Sequence, residues 1–291
     1  MPSVAEAPVS NPAVSPAPNN ALRERLLTSA WLIPAVIGAV LLLPTAGFAV
    51  FVGFFMLLAA WEWGALTGVE RWAPRAATVA ALALFLLLLW LSRAQPVFLL
   101  APAVVWWLGF AAALPRLHVH PAAARIDRLL LPLGGLVLAA PWVALVHLHE
   151  DFAHGPLLVL GLIALISLAD TAAFFAGSRF GRRKLAPRLS PGKTWVGLYA
   201  ALAAVSIALL VTGVLLGLSP GATLALMLLG AVTVALSVVG DLFESWLKRR
   251  RGCKDSGNLL PGHGGVLDRI DSMTAAGPVF VLGLIWLGFS A

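Results

Sequence analysis

Long apolar runs separated by short polar gaps set the pattern of the chain from about residue 26 onward. A membrane-spanning helix needs roughly 20 mostly apolar residues. Nine segments meet that need, at about 26–43, 46–66, 76–92, 96–114, 129–148, 156–177, 194–217, 222–247 and 272–289. The first two are parted only by Pro44–Gly47, which predicts a helical hairpin; the third is short for a span. Residues 1–22 are instead rich in Pro, Ala, Ser and Asn, the composition of a disordered tail. A cleaved leader would open on a basic region and a short apolar core. Here Arg23 and Arg25 come late and the run beyond them nearly spans, so the first helix is read as uncleaved. The expected fold class is an all-α integral membrane protein, a polytopic bundle of about nine transmembrane helices. Its parts are the tail, N-terminal helices over 23–150 and a C-terminal catalytic region over 151–291.

Composition agrees. Of 291 residues, 60% are hydrophobic and 11% charged, with a mean hydropathy of +0.93, where a soluble domain carries about 25% charged residues. A net charge of +7 raises nucleic acid as a partner, but the basic residues sit in the gaps between apolar runs, which excludes it. The single cysteine, Cys253, excludes an intrachain disulfide and Cys-rich zinc patterns.

The same basic residues orient the bundle. With nine spans, one side receives the N-terminus and the loops near 67–75, 115–128, 178–193 and 248–271, which hold 19 of the 20 Lys and Arg. The other side holds Arg93, with Glu150 and Asp151. The N-terminus and the long basic loops are therefore expected in the cytoplasm, at a plasma (inner) membrane. Loops this short leave no room for a soluble domain, so the function is expected at the membrane surface.

Acidic residues within spans are costly, at least about 2.5–3.5 kcal/mol each by insertion scales. Four occur: Glu62, Asp170, Asp241 and Glu244. For Glu62, between Trp61 and Trp63, an interfacial place in an aromatic belt stands beside a functional one. Asp170 lies at the end of the sixth span, ahead of a loop with six basic residues that closes on Ser190-Pro191-Gly192-Lys193-Thr194. The positive-inside rule and anionic lipid account for the charge of that loop. They do not account for Asp170 or for the small residues around Lys193. A glycine turn with Lys-Thr opening a helix suits phosphate, although SPGKT lacks full P-loop spacing.

Asp241, Glu244, Ser245 and Lys248 stand at i, i+3, i+4 and i+7, on one face of the eighth helix. Such a stripe should face the bundle interior or a water-filled cavity. Asp268 and Asp271 precede the ninth span. Asp271, before Ser272, suits a helix cap. Hard oxygen ligands without Cys or His partners suggest Mg²⁺, usually held by one or two carboxylates plus substrate phosphates. Asp241 and Asp268 could supply them from two helices. Between them Pro261-Gly262-His263-Gly264-Gly265 forms an irregular turn where glycine permits positive φ. His263 is read as a phosphate donor or a loop-stabilising hydrogen bonder ahead of a general base. The other five histidines receive no role.

These residues converge on a known pattern. The stretch Ser245, Leu247, Lys248, Arg249, Lys254, Asp255, Gly257, Leu260, Pro261, His263, Gly264, Gly265, Asp268, Arg269 and Asp271 resembles, without a gap, the signature of phosphatidate cytidylyltransferases (CDP-diacylglycerol synthases). Asp170-Thr171-Ala172 with Gly177 and Gly181, Ser190-Pro191 with Lys193-Thr194-Trp195, and Gly240-Asp241-Leu242 resemble the family as well. The likeness is detailed over about 165–275; before that it rests on the layout of spans and on Glu62-Trp63. Val196 departs from it, standing where relatives usually have glutamate.

The resemblance implies transfer of a cytidylyl group from CTP to phosphatidate, giving CDP-diacylglycerol and pyrophosphate. On that reading Lys193, Lys248, Arg249, Lys254 and Arg269 offset phosphate charge, with Ser245, Asp255 and His263 beside them in the catalytic set. Ser190, Thr194, Gly264, Gly265 and Asp170 bind substrate, and Asp241, Asp268 and Asp271 hold Mg²⁺. Relatives add a potassium ion, which no pattern in this sequence indicates. The implied partners are CTP, phosphatidate and membrane lipid, with a homodimer as one option for assembly. Two rival readings stand against it. A kinase using CTP on a polyprenol or dolichol conflicts with the uninterrupted signature. A transporter would place paired polar residues near the midplane, whereas here they gather at the cytoplasmic ends of helices.

Overall fold

The computed structural model describes residues 18–119, 121, 126–260 and 262–289, with backbone alone over 18–27 and at 29. Most of the expected tail, residues 1–17, and Pro261 of the glycine turn lie outside the described residues. Nine α-helices follow in order among the described residues: α1 (Pro18–Leu42), α2 (Thr45–Leu66), α3 (Trp72–Ser92), α4 (Val97–Ala113), α5 (Leu130–Glu150), α6 (Gly155–Phe180), α7 (Trp195–Leu215), α8 (Pro220–Arg250) and α9 (Leu267–Trp286). Each overlaps one expected span. Helices α2 to α8 are long and apolar enough to cross a membrane, α4 with the turn that follows it, and α1 adds a shorter apolar stretch, Ala30–Leu42.

Helix α9 is the axis of the bundle. It packs on α8, α5 and α4, and every residue from Thr274 to Leu282 is buried. Where α8 crosses it, a side chain on Gly240 would stand 2.5 Å from the Asp271 carbonyl, so only glycine lets the two backbones meet there. The main apolar core runs through α2, α4, α5, α8 and α9. At its centre Phe243 of α8 is ringed by Trp63, Trp106, Trp107, Phe110 and Trp246, with ring centroids 4.8–6.0 Å away.

Buried indole N–H groups need acceptors where water is excluded; three find them on neighbouring helices, while those of Trp106 and Trp246 have no partner among the described residues. Trp63 donates to the Leu130 carbonyl (3.1 Å), Trp107 to Thr274 (3.1 Å) and Trp142 to Ala49 (2.8 Å). The outer faces of α3, α6 and α7 expose Leu84, Leu88, Phe174, Phe175, Ile207 and Val211, as hydrocarbon-facing surfaces should.

The two ends of the bundle differ as the alternation of spans predicts. At one end Arg93 pairs with Glu150 at 3.1 Å. At the other, Arg250 reaches Asp127 at 3.0 Å, and Arg251 Nε donates to the Leu66 carbonyl at 2.8 Å. Burial pushes the Asp127 carboxyl up, but the Leu130 amide and the Arg250 guanidinium outweigh it, leaving the group below the usual carboxylate value.

The loop after α6 departs from expectation. It is a β-hairpin, β1 (Lys184–Ala186) against β2 (Ser190–Thr194), antiparallel with Lys184 opposite Thr194. SPGKT is therefore extended strand and not a turn. Pairing satisfies its backbone, and Thr194 then caps α7, its hydroxyl accepting from the Gly197 amide at 3.1 Å.

Candidate active site

Two charged clusters form at the hairpin end of α8, one on each side of its polar stripe. In the first, Lys193 Nζ lies 2.6 Å from Asp241 Oδ2, and Ser245 Oγ donates to Asp241 Oδ1 at 3.3 Å. Asp170, exposed on α6, joins Lys193 and Asp241 in the wall of a cavity of about 320 Å³ between α6, α7, α8 and β2. Ser190, Gly192 and Thr194 line the same cavity beside the apolar Phe174, Leu198 and Val238. A polar floor thus meets an apolar wall that includes the exposed Phe174 of α6.

In the second cluster Lys248 bridges two acids. Its Nζ lies 2.8 Å from Glu244 Oε2 and 2.5 Å from Asp268 Oδ1, with the lysine and Asp268 side chains only 12% and 10% exposed. Asp268 Oδ2 accepts three further bonds of 2.9 Å, from the Ser256 amide, the Ser256 hydroxyl and the Gly265 amide. Glu244 Oε1 is buried without a hydrogen-bond partner among the described residues. Asp271 lies on α9 behind Gly240; its Oδ1 accepts from the Ser272 amide at 2.6 Å.

The polar stripe of α8 is thus realised, with its charges shared between two neighbours: Asp241 faces the hairpin, and Glu244 with Lys248 faces the start of α9. The remaining motif residues are tied less tightly. Arg249 donates to the carbonyls of Leu189 (3.4 Å) and Cys253 (3.3 Å), bracing the hairpin loop. Arg269 holds the His263 carbonyl at 2.6 Å. Lys254 and Asp255 are exposed. Burial pushes the Cys253 thiol above its ordinary value, which disfavours the thiolate a nucleophile needs.

Three expectations are corrected here. Gly262 and Gly264 do take positive φ (73° and 82°), but Gly265, read as binding substrate, turns its amide to Asp268. The His263 amide binds the Leu260 carbonyl, and the amides of Gly265, Val266 and Leu267 bind carboxylates of the protein. Nor is Asp271 the helix cap, because α9 begins four residues earlier, at Leu267.

The third concerns Glu62, which is 1% exposed and so is no interfacial residue. Its Oε1 accepts from the Val266 amide (3.0 Å) and its Oε2 from the Leu267 amide (2.8 Å), capping α9 from α2. The Ser256 hydroxyl lies 3.0 Å from the same Oε2. An acid between two tryptophans in an apolar span was the available signal; its partners were not.

The sequence model described as "Cytidylyltransferase family" matches residues 23–286. A protein of Pseudomonas aeruginosa named phosphatidate cytidylyltransferase is 43% identical over 271 residues, covering 91% of this chain and 97% of its own. One of the same name from Haemophilus influenzae is 37% identical over 286 residues, covering 89% and 97%.

Proposed function

The chain belongs to the cytidylyltransferase family, and from that premise we infer that it is a phosphatidate cytidylyltransferase, converting CTP and phosphatidate to CDP-diacylglycerol and pyrophosphate. A phosphate oxygen of phosphatidate forms the new bond to the α-phosphorus of CTP, and the bond from that phosphorus to the α–β bridging oxygen breaks, that oxygen leaving with pyrophosphate. The nucleophile is already an anion, so no general base is required. The difficulty is to bring two polyanions together, which calls for fixed positive charge in a site shielded from water.

The observation that carries this reading is the pair of lysine–aspartate contacts, Lys193–Asp241 and Lys248–Asp268, one on each side of the polar stripe of α8. Each ammonium is held in place by a carboxylate before any substrate arrives. Arriving phosphates can draw on both without the protein reorganising. Arg249 at the end of α8, Lys254 in the loop after it and Arg269 in the first turn of α9 would neutralise the remaining phosphate charge. The apolar wall of the cavity, with Phe174 and Leu198, suits the glycerol end of a lipid whose chains stay in the bilayer.

Magnesium belongs to the proposal. Among the described residues no three His, Cys, Asp or Glu side chains converge into a metal cage, which accords with an ion that takes one or two carboxylates and completes its shell with phosphate and water. The residues fit such an ion. The donors are all carboxylate oxygens, those of Asp241 and Asp268 already hold cationic ammonium groups, and Glu244 Oε1 is buried without a partner. One or two of Asp241, Asp268 and Asp271 would hold it, phosphate and water completing its shell. When bound, it would offset charge on the transferring phosphoryl group and on pyrophosphate.

The site is proposed to face the cytoplasm from the inner membrane. The distribution of basic residues supports this, since 19 of 20 Lys and Arg fall to that side. The test is to incubate the purified protein in detergent with phosphatidate, Mg²⁺ and CTP labelled on its α-phosphorus. Label should enter the lipid phase, stop on addition of EDTA and return with excess Mg²⁺. Label entering only from γ-labelled CTP would replace this reading with a lipid kinase.

A further inference from the structure

We propose that Glu62 is a positioning residue of the active site, acting from the N-terminal half of the chain on Lys248 through Ser256 and Asp268. The proposal rests on the reading of Lys248 and Asp268 as active-site residues.

A carboxylate that is 1% exposed in an apolar bundle needs compensation. No Lys or Arg hydrogen bonds to Glu62 among the described residues; its two oxygens accept from the Val266 and Leu267 amides, with the Ser256 hydroxyl 3.0 Å from Oε2. The amides open α9, where the helix dipole favours an anion. The loop is shaped around this group, since a side chain on Gly257 would stand 2.5 Å from Glu62 Oε1 and one on Gly265 within 2.7 Å of both carboxylate oxygens. The acid is the post around which residues 256–267 are wound.

The link to the chemistry is the Ser256 hydroxyl. It lies 3.0 Å from Glu62 Oε2 and 2.9 Å from Asp268 Oδ2, and has one proton for the two. The Ser256 amide donates to the same Asp268 oxygen. Glu62 therefore fixes Ser256 and the first turn of α9, these fix Asp268, and Asp268 fixes Lys248. The alternative, that Glu62 merely stabilises the fold, predicts loss of stability without a specific loss of turnover.

The experiment uses the full-length protein in detergent. In Glu62→Gln the amide nitrogen of the new side chain faces backbone donors, so one capping bond is lost while the volume is kept. Hydrogen exchange across residues 254–267 should speed up, and kcat at saturating CTP should fall roughly 10- to 100-fold, with partial recovery in Glu62→Asp. Ser256→Ala should also lower kcat while leaving exchange at Val266 and Leu267 close to wild type. Trp142→Phe, which removes a buried hydrogen bond to Ala49 elsewhere in α2, should lower the melting temperature and leave kcat unchanged. A folded Glu62→Gln with wild-type exchange over the loop, or with kcat within a few-fold of wild type, overturns the proposal. If that variant does not fold, wild-type kcat in Ser256→Ala overturns it. If the wild type transfers no cytidylyl group, the functional reading is what fails, and the exchange measurement alone decides whether Glu62 holds the loop.

Discussion

Lys193, near the end of a β-strand, and Asp241, on α8, meet at 2.6 Å, so the hairpin is fastened to the polar stripe at the point where it borders the cavity. The contact is partly open, with the two side chains 21% and 29% exposed, and Asp170 adds a second negative charge to the same wall. Removing the lysine leaves a net acidic pocket for a polyanionic substrate. Lys193→Met should therefore lower turnover by roughly 100-fold or more while the protein stays folded, since the hairpin keeps its strand pairing and its Thr194 cap. Steady-state label transfer checks this. Activity within a few-fold of wild type would remove Lys193 from the site.

Asp268 should be needed for both the fold and the reaction. Its two oxygens accept four bonds, one from a buried ammonium. Asparagine keeps a single acceptor oxygen and turns an N–H₂ group toward donors. Breaking a buried charge pair from one side costs about 3–5 kcal/mol, and the neighbouring amides add to it. Asp268→Asn should lose turnover and also melt at a lower temperature, followed by tryptophan fluorescence in detergent. A variant that melts like wild type and turns over near normally would contradict the bridge to Lys248.

Two glycines of the motif regions should behave oppositely. A methyl group on Gly265 would collide with Glu62 and Ser256, and Glu62 cannot swing away because the Val266 and Leu267 amides hold it. Gly265→Ala should cost about 1–3 kcal/mol and impair turnover with it. Gly192 has nothing within 4 Å of an added Cβ, so Gly192→Ala should fold within about 0.5 kcal/mol of wild type. Thermal midpoints compare the two. A rise in KM for CTP in Gly192→Ala, with stability unchanged, would mark close approach of the nucleotide to β2.

Several features were legible because their causes are local. A span must be about 20 apolar residues long whatever surrounds it, and a polar residue every three or four positions falls on one helix face whatever it meets. The nine helices and the stripe of Asp241, Glu244, Ser245 and Lys248 follow from those constraints, as does the separation of Arg93 and Glu150 from the other charged loops. The motif from Ser245 to Asp271 was legible for a different reason, its length and spacing.

What tertiary structure alone decided is which helix ends meet. Glu62 reads as well for an interfacial acid as for a functional one until α2 is placed beside the start of α9, 204 residues later in the chain. SPGKT reads as a turn until Lys184 and its neighbours supply the strand it pairs with. Asp241 chooses Lys193 and Lys248 chooses Asp268 because α8 passes between the hairpin and α9, at a crossing that Gly240 makes close enough. A buried charge takes the partner that packing brings within reach. That partner is set by the arrangement of helices, and no local period in the sequence encodes it.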